Sequence, residues 1–152
     1  MLEQCGKLID GAKALGLPVL ATEQYPTGLG PTVGPIRERL EDDVPIVEKL
    51  KFSAFVEDIR EQLAELGRRT VLLCGIEAHV CVLQTALDLA AAGYVTAVAG
   101  DAIGSRRPVD GDLALRRLTE PEIVPVSVEM ALLELAHEAG TDRFKAVLPI
   151  IK

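Results

Sequence analysis

The sequence predicts an α/β fold in which helices cover both faces of a mostly parallel sheet, giving three layers. Helical and extended segments alternate along all 152 residues. The extended segments are short, continuous apolar runs, which is typical of strands buried on both faces. No internal repeat, low-complexity segment or linker interrupts this alternation. We therefore expect a single domain over residues 1–152.

Each element is predicted from its hydrophobic periodicity and from the residues that begin or end it. Gly16, Gly67 and Gly140 are expected to end helices, and Ser53 and Ser127 to cap helix N-termini. The predicted elements are, in order, a helix over 2–15, a strand over 18–22, a loop over 23–35, a helix from 36, a strand over 45–48, a helix over 53–67, a strand over 71–74, a helix from about 79 to 93, a strand over 94–99, a loop over 100–107, a helix over 108–119, a strand over 123–126, a helix over 128–139, and a short helix over 144–151 that Pro149 interrupts.

The chain opens directly with a helix, whereas a sheet of this type usually has a strand leading into its first helix. A strand is therefore expected to be missing at the N-terminus. In a complete sheet that strand lies in the middle, so its absence predicts a gap across which the neighbouring strands cannot pair.

Composition excludes several functions. The net charge of -7 and the five aromatic residues argue against nucleic-acid binding. No apolar run reaches the ~20 residues of a membrane span, and no signal peptide opens the chain, so a cytoplasmic protein is expected. Three cysteines without C-x-x-C spacing form neither a disulfide framework nor a zinc ribbon. His79 and Cys81 alone are weak evidence for a metal site.

Cys81 is the strongest candidate for chemistry. The apolar run before Gly75 predicts a strand and the pattern from His79 predicts a helix, so Cys81 falls at a strand-to-helix turn. Unpaired N–H groups and the helix dipole favour a thiolate at such a turn. Buried cysteines more commonly act as small apolar residues, which fits Cys5 and Cys74. Position alone leaves the two interpretations of Cys81 about equal.

Five segments, in order, resemble the isochorismatase-like cysteine hydrolase superfamily, and within it the isochorismatase domain-containing group. They are TEQYPTGLGPTV over 22–33, VEKLKFSAF over 47–55, CGIEAHVCVLQTALD over 74–88, DAIGSR over 101–106 and SVE over 127–129. The resemblance implies a Rossmann-like α/β fold with an aspartate, lysine and cysteine site at the carboxyl ends of the strands.

By this resemblance Cys81 is the nucleophile and Lys49 the catalytic lysine, chosen over Lys51 because the family's lysine lies four residues before the serine, here Ser53. The resemblance also implies a cis peptide bond between Ile76 and Glu77, with an oxyanion hole formed by N–H groups near Glu77 and Cys81. The alternative is an ordinary tight turn after Gly75.

The remaining expectations concern the substrate. Tyr25, Phe52 and His79 are candidate substrate-binding residues, the first in a 25–35 loop that either shapes the pocket or merely connects elements. No histidine occupies 23–27, where the related nicotinamidases place metal ligands, so neither a metal nor another cofactor is expected.

The family's aspartate lies on the strand that this sequence lacks, and Asp10 falls within the first helix instead. We expect a cofactor-independent, self-associating hydrolase of a small carbonyl compound or amide. Vinyl-ether hydrolysis is the alternative chemistry. A non-catalytic homologue that has lost the triad is the alternative function.

Overall fold

The structure is a computed structural model that describes residues 1–40, 44–119 and 123–152. Its helices are Leu2–Ala14 (α1), Pro26–Leu29 (α2), Gly34–Leu40 (α3), Glu57–Leu66 (α4), Leu83–Ala91 (α5), Pro108–Arg117 (α6), Val128–Ala136 (α7) and Asp142–Ile151 (α8). Its strands are Ala21–Gln24 (β1), Ile46–Lys49 (β2), Thr70–Ile76 (β3), Val95–Gly104 (β4) and Ile123–Val126 (β5). A π-helical turn, Ala78–Val82, lies between β3 and α5.

The strands form two parallel sheets rather than one. β1 pairs with β2, and β4 lies between β3 and β5. The α/β class with parallel strands is therefore confirmed. Within the described ranges no backbone pairing joins β1 to β3, so each of these strands has an unpaired edge. The expected missing strand stays a prediction.

The two sheets share their helical layers. On one face, Cys5 and Leu8 of α1 pack with residues of β3 and β4, while Ile9 of the same helix packs against the first sheet at Ala21 and Ile46. On the other face, one cluster contains Ile59 and Leu63 of α4, Leu89 of α5, and side chains from both sheets. Those sheet side chains are Leu20, Val47, Val71 and Leu73. Side-chain packing therefore holds the sheets together where backbone pairing does not.

Several strand boundaries differ from the prediction. β1 begins three residues later and ends two residues later than expected, and β4 continues to Gly104, into the segment predicted as a loop. The cause is a second stretch of pairing in which Gly75 and Ile76 of β3 lie opposite Ile103 and Gly104, after a register shift. β3 thus extends past Gly75, whose positive φ of 111° accommodates the irregularity.

Of the two predicted serine caps at helix N-termini, the structure confirms one and contradicts the other. The Ser127 cap is confirmed, because its Oγ accepts a hydrogen bond from the Met130 N–H at 3.1 Å. The Ser53 cap is wrong, because α4 begins after Val56 and Ser53 Oγ accepts from the nearby Phe55 N–H instead. A short helix, α2, lies inside the predicted 23–35 loop, and Pro149 lies within α8 without ending it. In the segments described, no helix has the length and apolar character needed to cross a membrane.

Candidate active site

The site lies where three strands end. β1 ends at Gln24, β2 ends at Lys49, and β3 leads through Glu77 into the π-helical turn that carries Cys81. Gln24 and Lys49 are opposite one another in the β1–β2 register. The carboxyl ends of parallel strands are the usual ligand-binding edge of an open α/β sheet.

Lys49 is buried, with 6% of its surface exposed, and its ammonium group has three acceptors. Nζ donates to Gln24 Oε1 at 2.6 Å, to the Phe52 carbonyl at 2.8 Å and to the Lys51 carbonyl at 3.1 Å. Burial lowers the pKa of Lys49, and the adjacent Cys81 opposes this shift by favouring the charged ammonium. Lys51, by contrast, is exposed. The site therefore contains a desolvated cation whose N–H groups are all occupied.

Gln24 is a site residue that the sequence analysis missed. Its Nε2 donates to the Leu50 carbonyl at 2.8 Å, which fixes the orientation of the side-chain amide. Oε1 consequently faces Lys49 and lies 4.0 Å from Cys81 Sγ. The predicted strand ended at residue 22, which placed Gln24 in a loop, and a glutamine carries no recognisable chemistry by itself.

Cys81 lies in the π-helical turn, one turn before α5, rather than within an α-helix beginning at His79. The thiol is half-buried. Thr85 Oγ1 donates a hydrogen bond to the Cys81 carbonyl at 2.6 Å, and this hydroxyl oxygen of Thr85 accepts a hydrogen bond from the Ala54 N–H at 2.7 Å. Thr85 was also missed, because a threonine inside a predicted amphipathic helix resembles any other core position.

The Ile76–Glu77 peptide bond is cis, at the position that the resemblance assigned to it. Glu77 accepts from the Arg106 backbone N–H at 3.1 Å and pairs with the Arg106 guanidinium at 3.3 Å. These contacts attach the residue after the cis bond to the segment that follows β4. The oxyanion hole near Glu77 and Cys81 stays a prediction.

The three candidate substrate-binding residues are placed differently from one another. His79 Nδ1 lies 2.8 Å from Ser105 Oγ, and its Nε2 lies 3.6 Å from Glu77 and 3.8 Å from Asp110, so the imidazole lies between the cis-bond segment and α6. Tyr25 has a positive φ of 43° and an exposed side chain. The Phe52 ring is exposed, although its carbonyl holds Lys49. Their role in substrate binding stays a prediction.

The loop after β1 is fastened by Glu23. The Thr32 backbone N–H donates to Glu23 Oε1 at 2.7 Å, and hydrogen bonding from Thr32 lowers the pKa of this carboxyl below its usual range. This bond joins the segment that follows β1 back to the strand itself. Across the described ranges, no three His, Cys, Asp or Glu side chains converge in a metal-binding arrangement.

Comparison with known proteins identifies the relatives of this chain. The family model for the isochorismatase domain matches residues 1–130. A secreted isochorismatase effector, Isc1, of Phytophthora sojae is 42% identical over 149 residues, which are 95% of this chain and 71% of that protein. Isochorismatase domain-containing protein 1 of Danio rerio is 40% identical over 147 residues, covering 96% of this chain. The chain spans only 51% of that relative's length.

Among solved structures, the fold is similar to one described as the MAR1 ribonuclease from Caenorhabditis elegans. The TM-score is 0.92 at 37% sequence identity, and the match covers 98% of this chain and 77% of the other. Both the sequence and the fold of this chain therefore match known proteins over nearly its whole length.

We expect Cys81 to react with iodoacetamide before the other two cysteines near neutral pH. The hydrogen bond with Cys74 lowers the pKa of the Cys5 thiol, but Cys5 is buried and its Sγ donates to the Ala102 carbonyl at 2.9 Å, so the reagent does not reach it readily. The hydrogen bond with Cys5, together with burial, raises the pKa of the Cys74 thiol well above its ordinary value. Peptide mass mapping after brief labelling measures the order of reaction, with Cys81→Ser as the control. Earlier labelling of Cys5 or Cys74 would contradict the assignment.

The lowered pKa of Lys49 predicts a pH dependence of stability. Between that lowered pKa and the ordinary value of a lysine, the unfolded chain binds more protons than the folded chain. The stability of the wild type relative to Lys49→Met should therefore rise as the pH increases through this window. Denaturant unfolding at several alkaline pH values measures it. Lys49→Arg, which keeps its charge, is the control and should not show the rise. An identical slope in all three proteins would contradict this prediction.

Proposed function

This chain belongs to the isochorismatase family, and on that premise we propose that its Cys81 and Lys49 act in a hydrolase site for a small carbonyl compound. Family membership supports a hydrolase function. The finer proposal is a primary amide substrate that is cleaved through a Cys81 thioester without a cofactor. Vinyl-ether hydrolysis is the alternative chemistry.

One observation carries this proposal. A single oxygen, Gln24 Oε1, lies 2.6 Å from Lys49 Nζ and 4.0 Å from Cys81 Sγ. The cation and the thiol therefore face the same small volume, although they come from different sheets. A nucleophile beside a fixed positive charge is the arrangement that acyl transfer requires.

The chemistry follows from these contacts. Cys81 sulfur attacks the carbonyl carbon, a C–S bond forms, and negative charge develops on the carbonyl oxygen. The C–N bond then breaks and the nitrogen leaves as ammonia, which carries the proton that the thiol gave up. Water next cleaves the thioester, which releases the carboxylic acid and restores the thiol. Loop carbonyls hold two of the three N–H groups of Lys49, and Gln24 Oε1 accepts from the third. The substrate oxygen would therefore displace Gln24 Oε1 and accept a hydrogen bond from that third N–H group.

The proposed reaction also needs a proton acceptor, which the family's aspartate would supply. We place this group on an additional N-terminal strand between β1 and β3. Three features support the proposal: the unpaired edges, the shared helical layers, and the position of Met1. Gly104 is the last residue of β4, and a Cβ added to it would lie 3.4 Å from Met1 Cγ. The beginning of α1 is therefore next to the carboxyl end of β4. A strand preceding α1 would run parallel to β1 and β3.

The structural relative named a ribonuclease raises RNA as another substrate class. The charge of this chain opposes it, because a net charge of -7 repels a phosphate backbone. Arg106 and Arg107 already pair with Glu77 and Asp110. We therefore favour a small uncharged substrate, and keep self-association and a cytoplasmic location as predictions.

We expect the native polypeptide to hydrolyse members of a panel of small primary amides. Cys81→Ser should lower kcat/KM at least about a thousandfold, because it removes the nucleophile. Lys49→Gln should lower it about 10²- to 10³-fold, because charge on the substrate oxygen loses its stabilising donor. Lys51→Gln is the matched control and should change it less than about twofold.

The other outcomes of the panel separate the alternatives. Turnover of a vinyl ether that survives Cys81→Ser would favour the alternative chemistry. Cleavage of a labelled RNA that depends on Cys81 would favour the nuclease. Activity toward none of these classes would support the non-catalytic homologue and contradict the proposal.

The additional strand is tested by the intact mass of the protein from its natural source. We expect a mass above the 16.3 kDa of these 152 residues, by roughly 10 to 30 residues, which suffice for a strand and its connection. A mass equal to 16.3 kDa would refute the strand and favour the non-catalytic homologue.

A further inference from the structure

We propose that Thr85 is a positioning residue that holds the Cys81 turn against the loop that binds Lys49. This inference rests on the proposed function. The lysine loop is defined as residues 50–55, and the nucleophile turn as Ala78–Val82. Thr85 lies in the first turn of α5, outside both segments.

The Thr85 hydroxyl bonds to both segments at once. Oγ1 donates to the Cys81 carbonyl at 2.6 Å and accepts from the Ala54 N–H at 2.7 Å. The residue is buried, with 4% of its surface exposed, so water does not readily replace either partner. One hydroxyl can donate once and accept in the same geometry, and here both functions are used.

The two bonds join the groups that hold the reacting side chains. The lysine loop supplies the carbonyls of Lys51 and Phe52 that bind the Lys49 ammonium, and Ala54 follows two residues later. At the other end, the bond reaches the backbone of Cys81 itself. A shift of Ala54 would therefore move the acceptors of Lys49 relative to Cys81.

The Thr85 bonds join two parts of the site that belong to different sheets. β2, which ends at Lys49, belongs to one sheet, and β3, which leads to Cys81, belongs to the other. No ladder of backbone bonds sets their spacing within the described residues. The direct contact across the division, between Cys81 Sγ and Gln24, is 4.0 Å long, whereas the Ala54–Thr85 bond is 2.7 Å.

Ordinary helix chemistry explains only half of this geometry. A threonine within a helix commonly donates its hydroxyl to the carbonyl four residues earlier, which accounts for the bond to Cys81. It does not account for the second bond to Ala54, a residue 31 positions away. That second bond distinguishes a positioning role from a local one.

The test compares Cys81 alkylation by iodoacetamide in Thr85→Val, Thr85→Ser and Thr96→Val. Thr85→Val keeps the shape but loses the hydroxyl, and Thr85→Ser keeps both hydrogen bonds. Thr96→Val is the matched control, because Thr96 is fully buried and its hydroxyl bonds locally to the Tyr94 carbonyl at 3.4 Å. Circular dichroism checks that each variant is folded, and Thr85→Ala replaces Thr85→Val if the latter does not fold.

We expect the alkylation rate of Cys81 at pH 7 to fall at least about fivefold in Thr85→Val, because the thiol and the ammonium separate. Thr85→Ser and Thr96→Val should stay within about twofold of the wild type. These changes together would support a positioning role, since loss of packing alone would not be reversed by serine.

An unchanged or faster rate in folded Thr85→Val would overturn the inference, as would an equal fall in Thr96→Val. Either result leaves the proposed function standing if wild-type Cys81 still reacts first. If wild-type Cys81 does not react before Cys5 and Cys74, the proposed nucleophile fails instead.

Discussion

The packing of α1 across two separate sheets is the constraint on which the site depends. Its residue Ile9 contacts the β1–β2 sheet, and Cys5 and Leu8 contact the β3–β4–β5 sheet. Helices α4 and α5 do the same on the opposite face through Ile59, Leu63 and Leu89. Lys49 belongs to one sheet and Cys81 follows the other. The apolar packing that joins the two sheets therefore helps to set the distance between the Lys49 ammonium and the Cys81 thiol. Dense packing can hold such a distance because a closely packed protein interior is hardly compressible.

The Lys49 ammonium adds a second constraint on top of that packing. Removing a cation from water costs several kcal/mol, and the cost is tolerated only when good acceptors replace water. Hydrogen bonds to a charged group contribute about 1.5 to 3 kcal/mol each, and Lys49 has three of them. Two come from a loop and one from Gln24, so the buried charge orders the loop and the amide around it. A cation held in this way does not reorganise when charge develops beside it.

The sequence was sufficient for most of the order of elements, because helices and strands follow from local patterns. The roles of Cys81 and Lys49 rest on the resemblance as well and stay predictions. Cys81 stands between an apolar strand and a helical repeat, and Lys49 follows a strand at the same edge. The residues that were missed act through partners distant in sequence. Gln24 matters because it contacts Lys49, 25 residues away, and Thr85 because it contacts Ala54.

The end of β4 and the start of α4 were predicted wrongly for the same reason, because both depend on the tertiary structure. The strand β4 was predicted to end at Ala99 because glycine and polar residues follow it, yet its pairing with β3 continues after a register shift. Such pairing depends on a strand about 30 residues earlier in the chain. Ser53 satisfies the local rule for a helix cap, but α4 begins after Val56 and the serine hydroxyl bonds to Phe55. Tertiary position thus overrides local preference at the edge where the site forms.

The contacts around Cys81 and Lys49 connect the chemistry to the open edge of the sheets. Their described hydrogen-bond partners are an amide oxygen, backbone carbonyls and a threonine hydroxyl. None of these takes up a proton near neutral pH, because amide and carbonyl oxygens are acceptors without basicity and a hydroxyl is far too weak a base. Thioester hydrolysis requires a base to activate water. If the proposed thioester route holds, its base lies beyond these contacts. The unpaired edges of β1 and β3 are where the proposed additional strand would carry a carboxylate toward both groups.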